Sequence, residues 1–402
     1  MGVVSPVGND RDAFFDNLLA GRSGIRRLSS DFAGRLVANI GGEVDYDPAA
    51  RFSKTKLALL DRFSQFALEA AAQAIEDSAI ELTESLKGRT GAFVGTGMGG
   101  ARTVESGYEE IYLHGKDRLA PHVVIRAMNN AAAGNISIDY GLRGPNVTYS
   151  TACSSSAISI GEACRAIRHG YVDAAIAGGA ESLLTLGTIR AWEALRTLAI
   201  TNAEDPSASC RPFSKDRTGL VLAEGAGMVV LESFEHAKRR GARVYAELIG
   251  YGATSDAEHL TRPGLEGQVS TMRQALADAG IAVDEVDYIN AHGTATLAGD
   301  IVETAAIKRV FGERAPRIPV SSTKSMHGHL MGATGAVEFI ASVLAMERGA
   351  VPPTANLQAP DPDCDLDYVP NRGREGVKVR TVMSNSFAFG GSNAVLIARA
   401  IE

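Results

Sequence analysis

The sequence predicts an α/β protein made of two similar halves, and three observations carry that expectation. Short apolar runs bounded by Gly, Asn or Ser alternate with longer helical segments. Two of the helical segments, "SSSAISIGEACRAI" and "TGAVEFIASVLAM", lack bulky polar residues, so neither has a broad solvent face and each is expected to be buried on most sides. No low-complexity stretch or flexible linker separates the regions around them. The halves, residues 1–235 and 236–402, are therefore expected to form one unit that meets near residues 235 to 245.

The elements can be taken in chain order. The opening "MGVVSPVGND" has turn chemistry at once with no strand before it, which reads as a chain trimmed at its start. Periodicity predicts a helix from Lys56 to Ser78. The strand "TGAFVGTG" then runs into "GTGMGG", Gly95 to Gly100, a match to the G-x-G-x-x-G pattern of dinucleotide sites. The next segment, "ARTVESGYEE" and a long irregular stretch, is not a compact βαβ unit, so a tight turn that lets backbones approach is the better reading. The strand "NVTYSTA" leads through Cys153 into a helix from Ser154 to His169 that Gly170 can cap, and the strands "DAAIAGGA" and "GMVVLES" complete the first half. The second half reads as the strand "VYAELIGYGA", a helix over Gly267 to Gly280, the strand "VDYINAHG", a helix over Asp300 to Phe311, the strand "IPVSST", a helix over Thr334 to Arg348, and the strands "VRTVMSNS" and "SNAVLIAR".

Composition narrows the function classes. The chain has 402 residues, 45% hydrophobic and 22% charged, enough apolar material for a large core. No apolar run approaches the roughly 20 residues of a membrane span, and no basic stretch with an apolar signal segment opens the chain, so no membrane is expected and the cytoplasm is the default location. A formal net charge of -7 without a Lys/Arg block argues against nucleic acid as a partner. The four cysteines, Cys153, Cys164, Cys210 and Cys364, show neither zinc-site pairing nor disulfide-scaffold density and read as reduced thiols; Cys164 reads as a small buried hydrophobe.

Cys153 has a particular position. At a strand-to-helix junction the first-turn N–H groups lack partners and the helix dipole favours a thiolate, so nucleophile and buried structural thiol are both open readings. His292 in "YINAHGTATLAGD" and His329 in "SSTKSMHGHLMGATGAVE" also come after strands, and Lys324 lies in the same loop as His329. Two histidines and a cysteine on three such junctions favour a shared site. A metal held by His292, His327 and His329 lacks a completing cysteine or carboxylate pair at suitable spacing, and no metal is expected. "SNSFAFGGSNAVLI" is a strand, a glycine turn and a strand, in which a backbone N–H near Phe389 either points into a cavity or belongs to an ordinary hairpin.

In this order, "TACSSS", "HGTAT", "STKSMHGHLMGATGAVE" and "NSFAFGGSNA" resemble the motif set of the β-ketoacyl-acyl carrier protein synthases, nearest the type II elongating enzymes, and the likeness extends through "YGLRGPN" and "CRPFSKDRTGLVLAEGAG". The resemblance implies the thiolase fold, two halves in five αβαβα layers, a homodimer, and acyl carrier protein as the partner. It makes Cys153 the residue that takes the acyl chain as a thioester. His292 and His329 assist decarboxylation of malonyl-carrier protein and stabilise the enolate, and Lys324 orients and tunes the second histidine. Thr294 and Thr296 hydrogen-bond the phosphopantetheine arm, which arrives on the carrier, so no organic cofactor is needed. Phe389 is the gating residue whose backbone N–H, with that of Cys153, forms the oxyanion hole. Glu303 and Glu338 lie close to the site, Glu338 organising the lysine or a structural monovalent cation.

The pattern has three departures. Ala388 replaces a glycine before the gating Phe389, His327 is an extra titratable group before Gly328 and His329, and Trp192 stands where a pocket phenylalanine is common. Val104 matches a pocket position nearer the far end of the acyl chain, and Trp192 with Val104 favours short to medium or polyunsaturated chains. Acidic carrier proteins need a basic patch, for which Lys54, Lys56 and Arg62 beside one helix start, and Arg196 near the entrance, are the candidates. The implied activity is that of a 3-oxoacyl-carrier protein synthase; the alternative is the ketosynthase subunit of a heterodimer with a chain-length partner in a specialised polyketide or polyene pathway. A chain-length partner itself would lack Cys153, and a thiolase would carry a second cysteine where this chain has Phe389.

Overall fold

Residues 1–401, described by a computed structural model, are organised by two five-stranded sheets. The first sheet contains β1 (Gly2–Val4), β2 (Thr90–Gly95), β3 (Asn146–Tyr149), β4 (Ala174–Glu181) and β5 (Gly225–Glu232), in the order β1-β5-β4-β2-β3. The second contains β6 (Glu247–Ser255), β7 (Tyr288–Asn290), β8 (Val320–Ser321), β9 (Thr381–Phe387) and β10 (Ser392–Arg399), in the order β8-β7-β9-β10-β6. From β1 and from β6, each sheet makes two antiparallel pairings and then two parallel ones. One topology is used twice.

The helices are α1 (Arg11–Leu19), α2 (Arg62–Ser78), α3 (Ala101–Tyr112), α4 (Ala131–Tyr140), α5 (Ser155–Arg168), α6 (Leu186–Ala194), α7 (Leu265–Ala279), α8 (Leu297–Phe311) and α9 (Thr334–Arg348). α2 covers the outer face of the first sheet, and α7 with α8 covers that of the second. α5 and α9 pack on each other between the sheets, giving five layers. β2 and β4, enclosed on both faces, are buried along their whole length, which explains why they read as continuous apolar runs rather than alternating ones.

The central pair is held close by its small residues. A Cβ on Gly335 would lie 2.9 Å from both Cβ and N of Ala157, so the helices touch there through backbone. Polar groups at the contact are satisfied: Ala336 N–H donates to Ser156 Oγ at 2.9 Å, and Ser159 Oγ reaches the carbonyls of Phe93 and Gly178, each at 2.8 Å. α9 is buried from Thr334 to Met346, as its composition requires.

Several expectations need correction. A strand does precede the opening turn: β1 is short, and it forms because β5 pairs with it, Gly2 opposite Met228 and Val4 opposite Ala226. The helix expected over Lys56 to Ser78 is broken. A single turn spans Lys54–Leu57, and α2 starts afresh after Asp61, whose Oδ1 caps Phe63 N–H at 3.1 Å while Oδ2 accepts from Thr103 N–H at 2.9 Å. The stretch after "GTGMGG" is not irregular; it holds α3, a short helix over Val123–Ala127, and α4. Tyr108, Tyr112, Leu113, Val124 and Ile138 are exposed there, and these outward apolar side chains obscure the amphipathic pattern. Among the described residues no helix is long and apolar enough to cross a membrane.

Gly335→Ala should lower the unfolding free energy by about 1–3 kcal/mol for overpacking a filled contact, and with it the denaturant midpoint. Chemical denaturation at unchanged m-value checks this, and unchanged stability would show that the central helices have slack.

Candidate functional site

The chain leaves β3 at Tyr149 and turns sharply before α5, with Ala152 at φ 49° and a single 3₁₀ turn over Ala152–Ser154. Local hydroxyls fasten the turn: Ser155 Oγ donates to the Ala152 carbonyl at 2.7 Å and accepts from Thr151 N–H at 2.8 Å. Cys153 is thereby held nearly buried at the start of the central helix. The backbone N–H groups of Phe389 and of Cys153 itself face its sulfur and favour its charged form.

His329 comes from the equivalent place in the second half, between β8 and α9. Its N–H donates to the Val221 carbonyl at 2.7 Å and its carbonyl accepts from Ala223 N–H at 2.9 Å, so first-half backbone grips it on both sides. Nε2 lies 3.0 Å from Cys153 Sγ. Nδ1 accepts the Met331 N–H at 3.1 Å and faces Thr334 Oγ1 at 2.9 Å. An accepting Nδ1 leaves the ring proton on Nε2, aimed at the sulfur.

His292 comes directly after β7 and meets His329 edge-on, ring centroids 5.5 Å apart. Its backbone is fixed from two directions. Glu303 accepts from His292 N–H at 2.8 Å and from Gly293 N–H at 2.7 Å, and Lys324 Nζ donates to the His292 carbonyl. Lys324 is fully buried and pairs with Glu338 at 2.5 Å. Lys324 acts on both rings through its charge, which includes the expected tuning of His329, while its hydrogen bond goes to the backbone of the other histidine, His292.

Burial dominates the electrostatics. It pushes the Cys153 thiol up to about 12, opposed by the Lys324 charge and the two N–H groups. The helix-terminus stabilisation expected from sequence is thus present but outweighed. Cys210 is pushed to about 12 and Cys364 to about 11 for the same reason. Burial, then the nearby Lys324 ammonium, hold both His292 and His329 well below their ordinary value, so both rings are neutral.

Cys153, His292 and His329 open on one cavity of about 310 Å³, also lined by Thr294, Thr296, Glu303, Arg196, Trp192 and Phe389. The Thr294 and Thr296 hydroxyls are 3.0 Å apart. Trp192 points inward and stacks on Phe389, ring centroids 5.7 Å apart and planes at 19°. Val104 is not brought to this cavity and stands half-exposed on α3. Ala388 is extended at φ -112°, a conformation open to any residue, so it adds no backbone strain to the glycine turn.

His327 is buried with both nitrogens engaged, Nδ1 on the Gly328 carbonyl at 2.7 Å and Nε2 on Thr323 Oγ1 at 2.9 Å. Burial pushes it down to about 3, and it braces the turn ahead of His329. Of the basic candidates, Arg62 is spent on buried Glu224, Nη2 to Oε1 at 2.7 Å, and Lys56 pairs with Asp139 at 2.5 Å; Lys54 and Arg196 remain exposed.

The Cys153 sulfur and nitrogens of His292 and His329 all lie within 4.8 Å of one another, a metal-like spacing. The tautomer of His329 opposes that use, because Nε2 offers the sulfur a proton rather than a lone pair. Elsewhere, buried Asn290 Oδ1, Glu338 Oε2 and Ser386 Oγ lack partners, and Asn290 Nδ2 reaches the Glu338 carbonyl at 3.4 Å. Unpaired oxygens are the donor type that a hard cation takes.

Sequence reading missed Glu181, Arg217 and Met331. Arg217, buried, donates to the carbonyls of Thr296 at 3.1 Å and Leu297 at 2.9 Å and so fixes the threonine loop. Glu181 accepts from Gly97, Met98 and Gly332 N–H groups. The available signal was an acid directly after an apolar strand.

The family model for the N-terminal domain of β-ketoacyl synthase matches residues 1–237, and that for the C-terminal domain matches residues 245–358. The chain is 46% identical over 400 residues to "3-oxoacyl-[acyl-carrier-protein] synthase 2" of Coxiella burnetii, covering 99% of this chain and 96% of that one. The solved ishigamide ketosynthase/chain length factor is 37% identical with a TM-score of 0.93, over 100% of this chain and 98% of that one. A type II PKS acyl-carrier protein in complex with its ketosynthase bound to the hexaketide gives 35% identity and a TM-score of 0.91 at the same coverage. The duplicated topology and five layers are those of the thiolase fold, and on this breadth of agreement the chain belongs to the β-ketoacyl synthase family.

Proposed function

We propose that the protein is a 3-oxoacyl-acyl carrier protein synthase, an acyltransferase that joins an enzyme-bound acyl group to malonyl-carrier protein. The observation that carries the reading is the placement of Cys153 Sγ against a neutral His329 Nε2–H at 3.0 Å.

In the first step the Cys153 sulfur attacks the thioester carbonyl carbon of an acyl-carrier protein. The Cys153 and Phe389 N–H groups stabilise the tetrahedral oxyanion, and the thiol proton leaves with the pantetheine thiolate. In the second, malonyl thioester replaces the first carrier. The C–C bond to the carboxylate breaks and carbon dioxide departs, while the imidazoles of His292 and His329 donate to the thioester carbonyl oxygen as it takes up enolate charge. The enolate carbon then attacks the acyl carbonyl; a C–C bond forms, the C–S bond to Cys153 breaks, the departing sulfur takes a proton from water to restore the thiol, and the 3-oxoacyl product is two carbons longer. Thr294 and Thr296, at the cavity wall, hydrogen-bond the arriving phosphopantetheine arm. The unpaired oxygens of Asn290, Glu338 and Ser386 would hold a monovalent cation, whose charge would steady the Glu338 carboxylate that pairs with Lys324.

The partner is acyl carrier protein, received near exposed Arg196 and Lys54 rather than at Arg62. A second copy covers the exposed apolar residues of α3 and α4 beside β3, the strand at the edge of the first sheet. A ketosynthase/chain length factor pair among the structural neighbours supports the heterodimer as the second reading.

Cys153→Ala should abolish condensation yet retain decarboxylation of malonyl-carrier protein, because both histidines remain. Mass spectrometry of the carrier thioesters checks this, and persistent chain elongation would sink the nucleophile assignment.

The pH profile has a defined sign. Both histidine pKa values are depressed, so the rings stay neutral as pH falls through 6.5, their unperturbed value. The decarboxylation kcat should therefore show no acid limb centred there; a limb that His292→Asn or His329→Asn removes would overturn the neutral-donor mechanism.

Phe389 must leave the Trp192 ring for a chain to enter. An aromatic stack worth about 0.5–1.5 kcal/mol corresponds to roughly 2- to 13-fold in rate. Trp192→Phe should shift kcat/KM toward long saturated primers by that order, and equal profiles for variant and parent would show that Trp192 does not set the limit.

A further inference from the structure

The proposed condensation uses a proton on His329 Nε2; the Thr334 hydroxyl, 2.9 Å from Nδ1, can donate or accept, so the contact that fixes that proton is the Met331 N–H, which can only donate, at 3.1 Å. Met331 sits at φ 47°, a left-handed conformation that costs a non-glycine residue about 1–3 kcal/mol and persists only where surroundings enforce it. The residue after it is the enforced one. Gly332 N–H donates to Glu181 Oε2 at 3.0 Å, and a Cβ on Gly332 would lie 2.3 Å from Gly97 N, so the loop carrying His329 is pressed directly on the loop after β2.

Glu181 joins these loops. Standing fully buried at the end of β4, it accepts from Thr96 Oγ1 at 3.1 Å, Gly97 N–H at 2.5 Å and Met98 N–H at 3.2 Å, besides Gly332. Among the described residues no Lys or Arg pairs with it; burial pushes its carboxyl up to about 7, and only the four N–H and O–H donors oppose that by favouring the charged form. Such a group is expensive to bury. It does not assist the nucleophile, because its charge makes the Cys153 thiol harder to ionise. Its place is explained by what it holds.

We infer that Glu181 is a positioning residue that sets the tautomer of His329: by gripping Gly332 it keeps Met331 left-handed, and the Met331 N–H then claims Nδ1 and leaves the proton on Nε2. The inference rests on the proposed reaction only for its effect on rate; the tautomer itself is independent of it.

Glu181→Gln keeps the shape but turns an amide NH2 toward N–H donors. Acyl transfer from an acyl-carrier protein to Cys153, read by intact mass, should stay within a few-fold of the parent. Decarboxylation and condensation kcat should fall roughly 10- to 100-fold, the loss typical when an orienting partner is removed, with KM for malonyl-carrier protein little changed. Nitrogen-15 spectra of ring-labelled histidine should show the Nε2–H form of His329 in the parent and a mixed population in the variant. Glu181→Asp, which keeps the charge but cannot span both loops, should show the same split and decides the matter if the glutamine variant does not fold. In a Met331→Gly background, where the left-handed conformation carries no penalty, Glu181→Gln should cost several-fold less. An unchanged tautomer with undiminished kcat, or equal loss of loading and condensation, would overturn the inference. A parent protein that loads no acyl group onto Cys153 would instead overturn the proposed function, with the tautomer measurement still deciding the role of Glu181.

Discussion

The contact between Gly335 and Ala157 is the constraint on which the site depends. Helices α5 and α9 approach closely enough for backbone to meet backbone, and only small residues permit this. Each helix is preceded by one 3₁₀ turn, Ala152–Ser154 and Met331–Ala333, each with a left-handed non-glycine residue, Ala152 and Met331. Packed side by side between the sheets, they bring Cys153 and His329 to hydrogen-bonding distance although 176 residues separate them. The sheets' shared topology makes the meeting of equivalent junctions a consequence of the fold.

That same burial sets the chemistry. At an exposed helix terminus the dipole would favour a thiolate; here loss of solvent outweighs it, and the thiol is pushed up while both histidines are pushed down. The buried ammonium that acts on the thiol and on both rings, Lys324, is matched by Glu338. A site of neutral reactants with fixed N–H donors suits a reaction whose negative charge appears only in passing, first on a tetrahedral oxygen and then on an enolate, since preorganised donors need not reorient as the charge develops.

Cys153, His292 and His329 could be singled out because each stands where a sequence pattern changes. Cys153 interrupts an apolar strand and a helix of small residues, and His292 and His329 sit beside glycines at strand ends. Thr334–Arg348 was read to the residue, since nothing but a buried helix fits its composition. The misreadings have one physical cause, a partner distant in sequence. Arg62 looked like a surface cation because Glu224, 162 residues on, was not visible beside it. β1 is a strand only through β5, and Met331 is left-handed only through contacts that reach back to Glu181. Periodicity reports which face is apolar, not which distant group will cover it.

The "GTGMGG" motif is resolved by the same duplication. The loop after β2 and the loop after β7 occupy equivalent places in the two sheets, and each directs consecutive backbone N–H groups at a buried carboxylate: Gly97 and Met98 at Glu181, His292 and Gly293 at Glu303. Glycines are required in the first loop because Gly97 and Gly99 have no room for a side chain, Gly97 against Glu181 and Gly99 against Asn129. With the N–H groups of Gly97 and Met98 committed to Glu181, they are not free to cradle a pyrophosphate, which is the physical reason the dinucleotide pattern carries no nucleotide site here. In the second half the loop presents a histidine to the cavity; in the first it clamps the segment that carries the other histidine. The two halves thus contribute unequally to one centre, one loop supplying an imidazole and its counterpart a clamp on the segment that carries the second imidazole.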